Sequence, residues 1–234
     1  MNAPMSDNMV LFLVIGGIVL LTVIAVIIGT VMDRKRTAAM ADLAARTGMF
    51  FDAEARELLA QLPRFHLLTL GHSRTAKRWL RGGKGAEEIW LFDYRYVTGA
   101  GKNRHVHRRT VAVFPHLEKR LPEFELRPEN LFHKIGAAFG YQDIDIDEQP
   151  EFSKRYLLRG TEEYGIRQLF THTRVESLMS MDPICIEVEG TGMLVYPPRG
   201  SLSPARIPDF IDCAHAIRQI FTESASSGLK YRLT

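Results

Sequence analysis

The stretch Ile89-Trp90-Leu91-Phe92-Asp93-Tyr94-Arg95-Tyr96-Val97 carries the strongest β-strand signal in this chain of 234 residues. Most of its positions hold aromatic or β-branched side chains, which favour a pleated and half-buried surface. The stretch Gly99-Ala100-Gly101-Lys102-Asn103 follows as a turn, and residues 104–114 return as a partner strand. The sequence therefore predicts a long antiparallel β-hairpin.

Shorter strands and helices are predicted on either side of this hairpin. Strands are expected at 65–70, 76–81, 155–159, 184–188 and 193–196, and the last two form a second hairpin. Helices are expected at 37–46, at 54–62 after an N-cap at Asp52, at 126–140, at 161–170 after an N-cap at Thr161, through Val175 and Leu178, and from about residue 203 or 208 to Phe221. This order predicts an α+β fold, an antiparallel sheet with helices packed on one side, preceded by one N-terminal transmembrane helix.

The N-terminal segment from Val10 to Val31 contains no charged residue and consists mainly of Leu, Ile and Val. As a helix it extends about 33 Å, which matches a hydrocarbon core of about 30 Å. A cleaved signal peptide is the alternative, but it would have a basic start and a shorter apolar run, whereas residues 1–9 contain no Lys or Arg. We expect an uncleaved transmembrane helix at 10–31, with the lipid bilayer as its partner.

The charges that flank this segment predict its orientation. Arg34, Lys35 and Arg36 follow it directly, and positive residues stay on the cytoplasmic side. The predicted organisation is a short extracytoplasmic N-terminus at 1–9, the transmembrane helix at 10–31, juxtamembrane helices at 32–63, a cytoplasmic α+β domain at 64–223 and a flexible tail at 224–234. Cys185 and Cys213 are expected to be reduced, as is usual for thiols in the cytoplasm.

Three patterns resemble ligand sites, and each lacks a residue that the site requires. The turn Gly99–Asn103 has no hydroxyl after its lysine and precedes a strand, so it is not a phosphate-binding loop. The acidic stretch Asp143–Glu148 lacks the glycine and glutamate of a calcium loop, although a weak cation site is an alternative. His105 and His107 share one face of a strand and could both contact one metal, but the arginines around them repel cations. The sequence thus predicts no catalytic residues, no metal site and no cofactor.

Charge is distributed unevenly along the chain. Residues 64–120 contain 13 basic and 4 acidic residues, giving +9, whereas residues 121–189 contain 7 basic and 14 acidic residues, giving −7. The basic block includes the long hairpin, so we predict an anionic partner there. If the two blocks lie side by side in the fold, they neutralise each other and leave no external patch. The candidate residues for binding an anionic partner are Lys102, Arg104, His105, His107, Arg108 and Arg109.

Three segments, Leu91–Gly99, Leu126–Glu129 and Pro150–Tyr156, resemble a group of bacterial membrane-anchored proteins of unknown function. The resemblance covers most of residues 65–221. It implies a bacterial inner (cytoplasmic) membrane, and it implies no activity and no site residues.

The features together favour a membrane-anchored cytoplasmic interaction or scaffold module that is not an enzyme and binds a protein partner in or at the membrane. The alternative is a binder of anionic lipid or nucleic acid that uses the basic hairpin. An enzyme on an unfamiliar fold is the third hypothesis. A deep pocket lined by convergent His, Asp or Glu side chains would favour that third hypothesis.

Overall fold

The computed structural model describes residues 7–129, 143–146 and 148–223. They form an α+β fold around one antiparallel sheet of eight strands, in the order β1-β2-β3-β4-β8-β7-β5-β6. The strands are β1 Phe50–Asp52, β2 His72–Gly82, β3 Ile89–Thr98, β4 His105–Phe114, β5 Phe124–Pro128, β6 Tyr156–Gly160, β7 Cys185–Glu189 and β8 Gly192–Tyr196. Both predicted hairpins, β3–β4 and β7–β8, are confirmed.

The described helices include one long N-terminal helix and several shorter ones. They are α1 Asp7–Thr47, α2 His66–Thr69, α3 Pro150–Arg155, α4 Glu163–Leu169, α5 His172–Met179 and α6 Ile207–Thr222. Helices α5 and α6 confirm the predictions made from apolar spacing. Helix α4 begins at Glu163, and no side chain caps its N-terminus, so the predicted cap at Thr161 is wrong.

Helix α1 is continuous over 41 residues. The separate short helix expected at 37–46 is therefore its last part, and Gly48, with φ +67°, ends it in a left-handed conformation that glycine adopts readily. The helix is long and apolar enough to cross a membrane, and its most apolar stretch is not buried inside the protein. Met40, Leu43 and Ala44, by contrast, are buried in the domain. One continuous helix thus connects the apolar segment to the sheet.

The two faces of the sheet are covered differently. One face packs against the end of α1 and against α4, α5 and α6, in a core that includes Leu91, Ala112 and Ile186. The other face carries Trp90, Tyr94 and other aromatic residues. It is covered by the chain segment 53–70, which contributes Leu58, Phe65 and Leu67 to a second core. The long helices lie on one side, as predicted, and an irregular segment protects the other.

Two predicted elements between residues 50 and 70 differ in the structure. Residues 54–62 are not an α-helix capped by Asp52, because Asp52 belongs to β1, which pairs with β2, and only a short 3-10 turn, Leu58–Gln61, follows. Asp52 Oδ1 accepts a hydrogen bond from the Glu54 amide 2.9 Å away, a local bond that competes with helix formation. The predicted strand at 65–70 is the single helical turn α2.

The predicted helix at 126–140 is wrong at its start. Residues 124–128 form β5, which lies between β6 and β7 in the sheet. Pairing on both edges satisfies its backbone, and this tertiary environment overrides the helical spacing. The rest of that predicted helix, and the predicted tail at 224–234, lie outside the described residues.

Candidate functional site

Asp93, in the middle of β3, binds two arginines at the point where α1 meets the sheet. Arg36 of α1 donates from Nε to Oδ2 at 2.7 Å and from Nη2 to Oδ1 at 2.6 Å. Arg78 of β2 donates from Nε to Oδ2 at 2.6 Å. The Asp93 side chain is only 9% exposed, so these bonds neutralise a charge that could not remain there alone.

Further bonds extend this group, which we call the Asp93 network and define as Asp33, Arg36, Arg78, Asp93 and Thr110. Arg78 Nη1 also donates to Asp33 Oδ1 at 2.7 Å. Burial opposes ionisation of Asp33, but the hydrogen bond and charge of Arg78 outweigh it and lower the pKa of that carboxyl. Thr110 Oγ1 accepts from the Leu202 amide at 2.9 Å, and Arg36 donates to the Leu202 carbonyl at 2.6 Å. The network therefore fixes α1 to β2, β3, β4 and the loop before α6.

The β3–β4 hairpin divides the predicted binding residues between two faces. Asp93 faces α1, so Arg95, two residues further along the strand, faces the same way. Arg108 lies directly opposite Arg95, and Lys77 lies opposite Asp93. Residues directly opposite each other in an antiparallel pair share a face. We call the surface formed by Lys77, Arg95, Val106 and Arg108 the anchor face.

The other face of the hairpin holds His105, His107 and Arg109. The His107 ring stacks on Tyr96, with ring centroids 4.6 Å apart, and its Nε2 lies 2.8 Å from Thr98 Oγ1. Burial, together with the charge of Arg109, lowers the pKa of His107. Of the six predicted residues, only Arg108 lies on the strand part of the anchor face. Lys102 and Arg104 are exposed at the tip of the hairpin.

Over the stretch in which α1 contacts the sheet, its N-terminal direction and the tip of the β3–β4 hairpin point to the same end of the strands. The C-terminal end of α1 leads into β1, which pairs with Trp79–Arg81 near the Gly82 end of β2. Further back along α1, Arg36 and Asp33 reach the level of Asp93. The direction along α1 from Arg36 toward the apolar segment is therefore the direction along β3 from Asp93 toward the tip of the hairpin. The five residues from Asp93 to Thr98 add about 17 Å in that direction.

The basic and acidic blocks do not neutralise each other within the described part of the chain. Its ion pairs between the two blocks are Arg120–Glu123 at 3.7 Å and the His66–Glu125 contact at 3.2 Å. Arg78 pairs with Asp33 and Asp93, and Arg81 pairs with Glu88. Of the hairpin charges, those of Lys102, Arg104 and Arg108 are exposed to solvent.

A pocket opens on the opposite face of the sheet, where segment 53–70 meets β5, β6 and β7. Its cavity volume is about 230 Å³, and His66, Glu125 and Glu187 are among its lining residues. At its rim, burial and the nearby Glu123 and Glu187 charges raise the pKa of Glu189. This is a pocket of convergent His and Glu side chains, the feature that would favour an enzyme.

The polar groups in the pocket are largely occupied by one another. Glu125 and Glu187 lie directly opposite on paired strands, and Arg127 contacts both, through Nε to Glu125 Oε1 and through Nη2 to Glu187 Oε1 at 3.3 Å. Glu187 also accepts from the Leu67 amide at 3.0 Å and from the Tyr196 hydroxyl at 3.2 Å. We call Glu125, Arg127 and Glu187, with His66, the Arg127 cluster. It ties segment 53–70 to the sheet.

Metal binding by this cluster would require Arg127 to move. Ligand atoms of His66, Glu125 and Glu187 lie within 4.8 Å of one another, close enough to surround one ion. However, Arg127 Nη2 lies 2.6 Å from His66 Nδ1, so a guanidinium already provides the positive charge. Burial and the Arg127 charge lower the pKa of His66 and keep its ring neutral near pH 7. The arrangement is a hydrogen-bonded polar cluster in which one guanidinium lies between two carboxylates.

The sequence contained a signal for both clusters that periodicity alone did not identify. Asp93 interrupts the apolar run of β3, and Glu187 interrupts the apolar run Cys185–Val188. A carboxylate in a buried strand must find a positive partner or a set of donors. The partners, Arg36, Arg78 and Arg127, are far away in sequence, so their identities required the fold.

Comparison of the chain with protein-family models, with curated proteins and with solved structures gives no match. The resemblance to bacterial membrane-anchored proteins therefore stays a prediction. The function of the chain has to be inferred from its own residues.

Proposed function

We propose that this protein is a single-pass protein of a bacterial cytoplasmic membrane that holds an α+β interaction module in a fixed pose at the cytoplasmic surface. The observation that carries the proposal is the Asp93 network. It joins the sheet to α1 within a few residues of Val31, the last residue of the predicted transmembrane helix. A flexible tether would need no such bonds.

Moving the domain relative to the helix would carry a high energetic cost. Any hinge between the apolar segment and the sheet would have to break the continuous helix α1 or separate Asp93 from Arg36. Separation would leave an aspartate buried without its full set of partners, which costs several kcal/mol. The module thus presents one constant surface to a protein partner, and its orientation relative to α1 is constant too.

The fixed pose can be measured on the full chain in lipid nanodiscs. Spin labels are placed at Val106→Cys, near the hairpin tip, and at Lys84→Cys, at the other end of the hairpin, in a Cys213→Ser background in which buried Cys185 remains. The strand between the two positions spans about 30 Å. We expect the Val106 label to be near the lipid head groups and the Lys84 label to be in water, each with a narrow range of depths.

The matched variants for this measurement are Asp93→Asn and Asp42→Asn. Asp93→Asn should broaden the depth distribution of both labels, because it removes the charge that binds Arg36 and Arg78. Asp42→Asn removes an exposed pair with Arg46 on the same helix and should change nothing. Equal depths for the two labels in the unmodified protein, or broad depths before any substitution, would overturn the fixed pose.

The orientation is a separate prediction. Because Arg34, Lys35 and Arg36 follow the apolar segment, the domain should lie in the cytoplasm. A C-terminal green fluorescent protein fusion should then be fluorescent, and a C-terminal alkaline phosphatase fusion should be inactive, since that enzyme needs disulfides formed outside the cytoplasm. An active phosphatase fusion with a dark fluorescent fusion would reverse the orientation.

A further inference from the structure

We propose that the anchor face binds the phosphate groups of anionic phospholipid head groups through Lys77, Arg95 and Arg108. The proposal rests on the proposed function, because it needs the domain to lie against the bilayer. It names the chemistry of the surface that the fixed pose presents to the lipid.

Two arginines of the anchor face lie side by side and form no ion pair with an acidic residue in the described part of the chain. Arg95 and Arg108 lie directly opposite each other on β3 and β4, and like charges at such a position destabilise the pair of strands. Arg95 makes one long hydrogen bond, from Nη1 to the Ser73 carbonyl at 3.5 Å. Arg108 has no ion pair among the residues that the structure describes. A phosphate between the two guanidinium groups would replace repulsion by charge-assisted hydrogen bonds.

The position of these arginines along α1 also favours lipid. Arg95 and Arg108 lie two residues beyond Asp93 and Thr110, about 7 Å nearer the hairpin tip. That displacement runs along α1 toward its apolar segment, so the arginines come to the level at which α1 leaves the hydrocarbon. Lys77, whose charge helps to lower the pKa of Asp33, lies on the same face. In the proposed pose, the anions nearest to the anchor face are therefore the phosphate groups of the lipid head groups.

The composition of the anchor face favours lipid over nucleic acid. Proteins that bind single-stranded nucleic acid combine basic grooves with exposed aromatic rings on which bases stack. The aromatic rings of β3, at Trp90, Phe92, Tyr94 and Tyr96, all belong to the core on the opposite face. The anchor face adds an aliphatic side chain instead, Val106, which is 36% exposed beyond the arginines.

The test measures lipid selectivity of the full chain in phosphatidylcholine bilayers. Electron paramagnetic resonance with spin-labelled lipids gives the association constant of phosphatidylglycerol relative to phosphatidylcholine. The basic residues of α1 itself also attract anionic lipid, so the informative quantity is the change caused by Arg95→Gln with Arg108→Gln. Removing two charges near the surface should weaken phosphatidylglycerol binding at this site roughly 30-fold. The preference should also fall with added salt.

The control is Lys84→Gln with Lys119→Gln, which removes the same charge from exposed positions at the other end of the sheet. It should leave the preference unchanged. Equal losses in the two double variants would show a general charge effect and overturn the site. An unchanged preference in the arginine variant would overturn it as well. Loss of the preference on adding millimolar inorganic phosphate would assign the site to free phosphate, contrary to the proposal.

Two readouts separate misfolding and the wrong pose from a failure of this inference. The arginine variant should keep the tryptophan fluorescence of buried Trp79 and Trp90, since it removes a repulsion and no core contact. The labels at positions 84 and 106 report the pose without using lipid selectivity. A normal pose without selectivity for phosphatidylglycerol would contradict the lipid site alone. Labels at equal depth would contradict the proposed function.

Discussion

Replacement of Asp93 by alanine is expected to lower the free energy of unfolding of the domain by about 3–5 kcal/mol, the usual cost of removing one partner from a buried ion pair. The substitution leaves Arg36 and Arg78 facing each other without a carboxylate, and their side chains are only 20% and 10% exposed. Asp33 cannot replace Asp93, because it contacts Arg78 from an exposed position.

Urea unfolding of the full chain in detergent micelles measures this loss, with the fluorescence of Trp79, next to Arg78 in the chain, as the probe. The comparison is Asp42→Ala, which breaks an exposed pair with Arg46 on α1 and should cost less than about 1 kcal/mol. If the two substitutions cost the same, the Asp93 network contributes no more than a surface ion pair.

Replacement of Arg127 by methionine is expected to destabilise the domain by a similar amount, about 3–5 kcal/mol near neutral pH. Glu125 and Glu187 are direct neighbours on paired strands, and the Glu187 side chain is only 3% exposed. Without the guanidinium, the buried Glu187 carboxylate and the half-buried Glu125 carboxylate repel each other. The substitution should also loosen segment 53–70. Arg127 contacts Glu187, and Glu187 accepts the hydrogen bond from the Leu67 amide that holds this segment to the sheet.

The loss of stability in the Arg127→Met variant should be smaller at low pH than at high pH. In the variant, a buried carboxylate is more easily protonated in the folded state than in the unfolded state, so the folded state binds more protons. Its stability relative to the unmodified protein should therefore recover as the pH falls from about 8 to about 5.

Two further variants check the assignment of this loss. Adding Glu187→Gln to Arg127→Met should restore part of the stability at high pH, because only one charge then remains. Arg120→Met, at an exposed pair with Glu123, should have a small effect at every pH. A loss that stays constant with pH would point to packing of the Arg127 stem instead of its charge.

The sequence predicted most of the architecture because the relevant signals were local. The hairpin at 89–114 was recognisable from its aromatic and β-branched side chains and its turn glycines, and α6 from its apolar stripe. The elements that were wrong depend on distant partners. Residues 126–128 were assigned to a helix from apolar spacing, but they belong to β5, which pairs with a strand on each edge.

Part of each candidate site can likewise be recognised from the sequence, and the rest depends on the fold. Lys102, Arg104 and Arg108 are recognisable as a basic hairpin from composition. That Arg95 and Lys77 share a face with Arg108, while His107 and Arg109 point away, depends on the registers of β2, β3 and β4. The Arg127 cluster needs β5, β7 and α2 to come together, so no spacing in the sequence could reveal it.

Helix α1 has one further consequence, because its 41 residues contain no break between the apolar segment and the sheet. A helix in a bilayer adjusts its tilt to the thickness of the hydrocarbon. With Asp93 clamped to Arg36, that tilt is transmitted to the domain as a rotation of the whole body. A rotation of about 10° moves a point some 30 Å from the pivot by about 5 Å, which is one strand spacing. In the proposed membrane setting, the free end of the domain would therefore move by this distance when the thickness of the hydrocarbon changes.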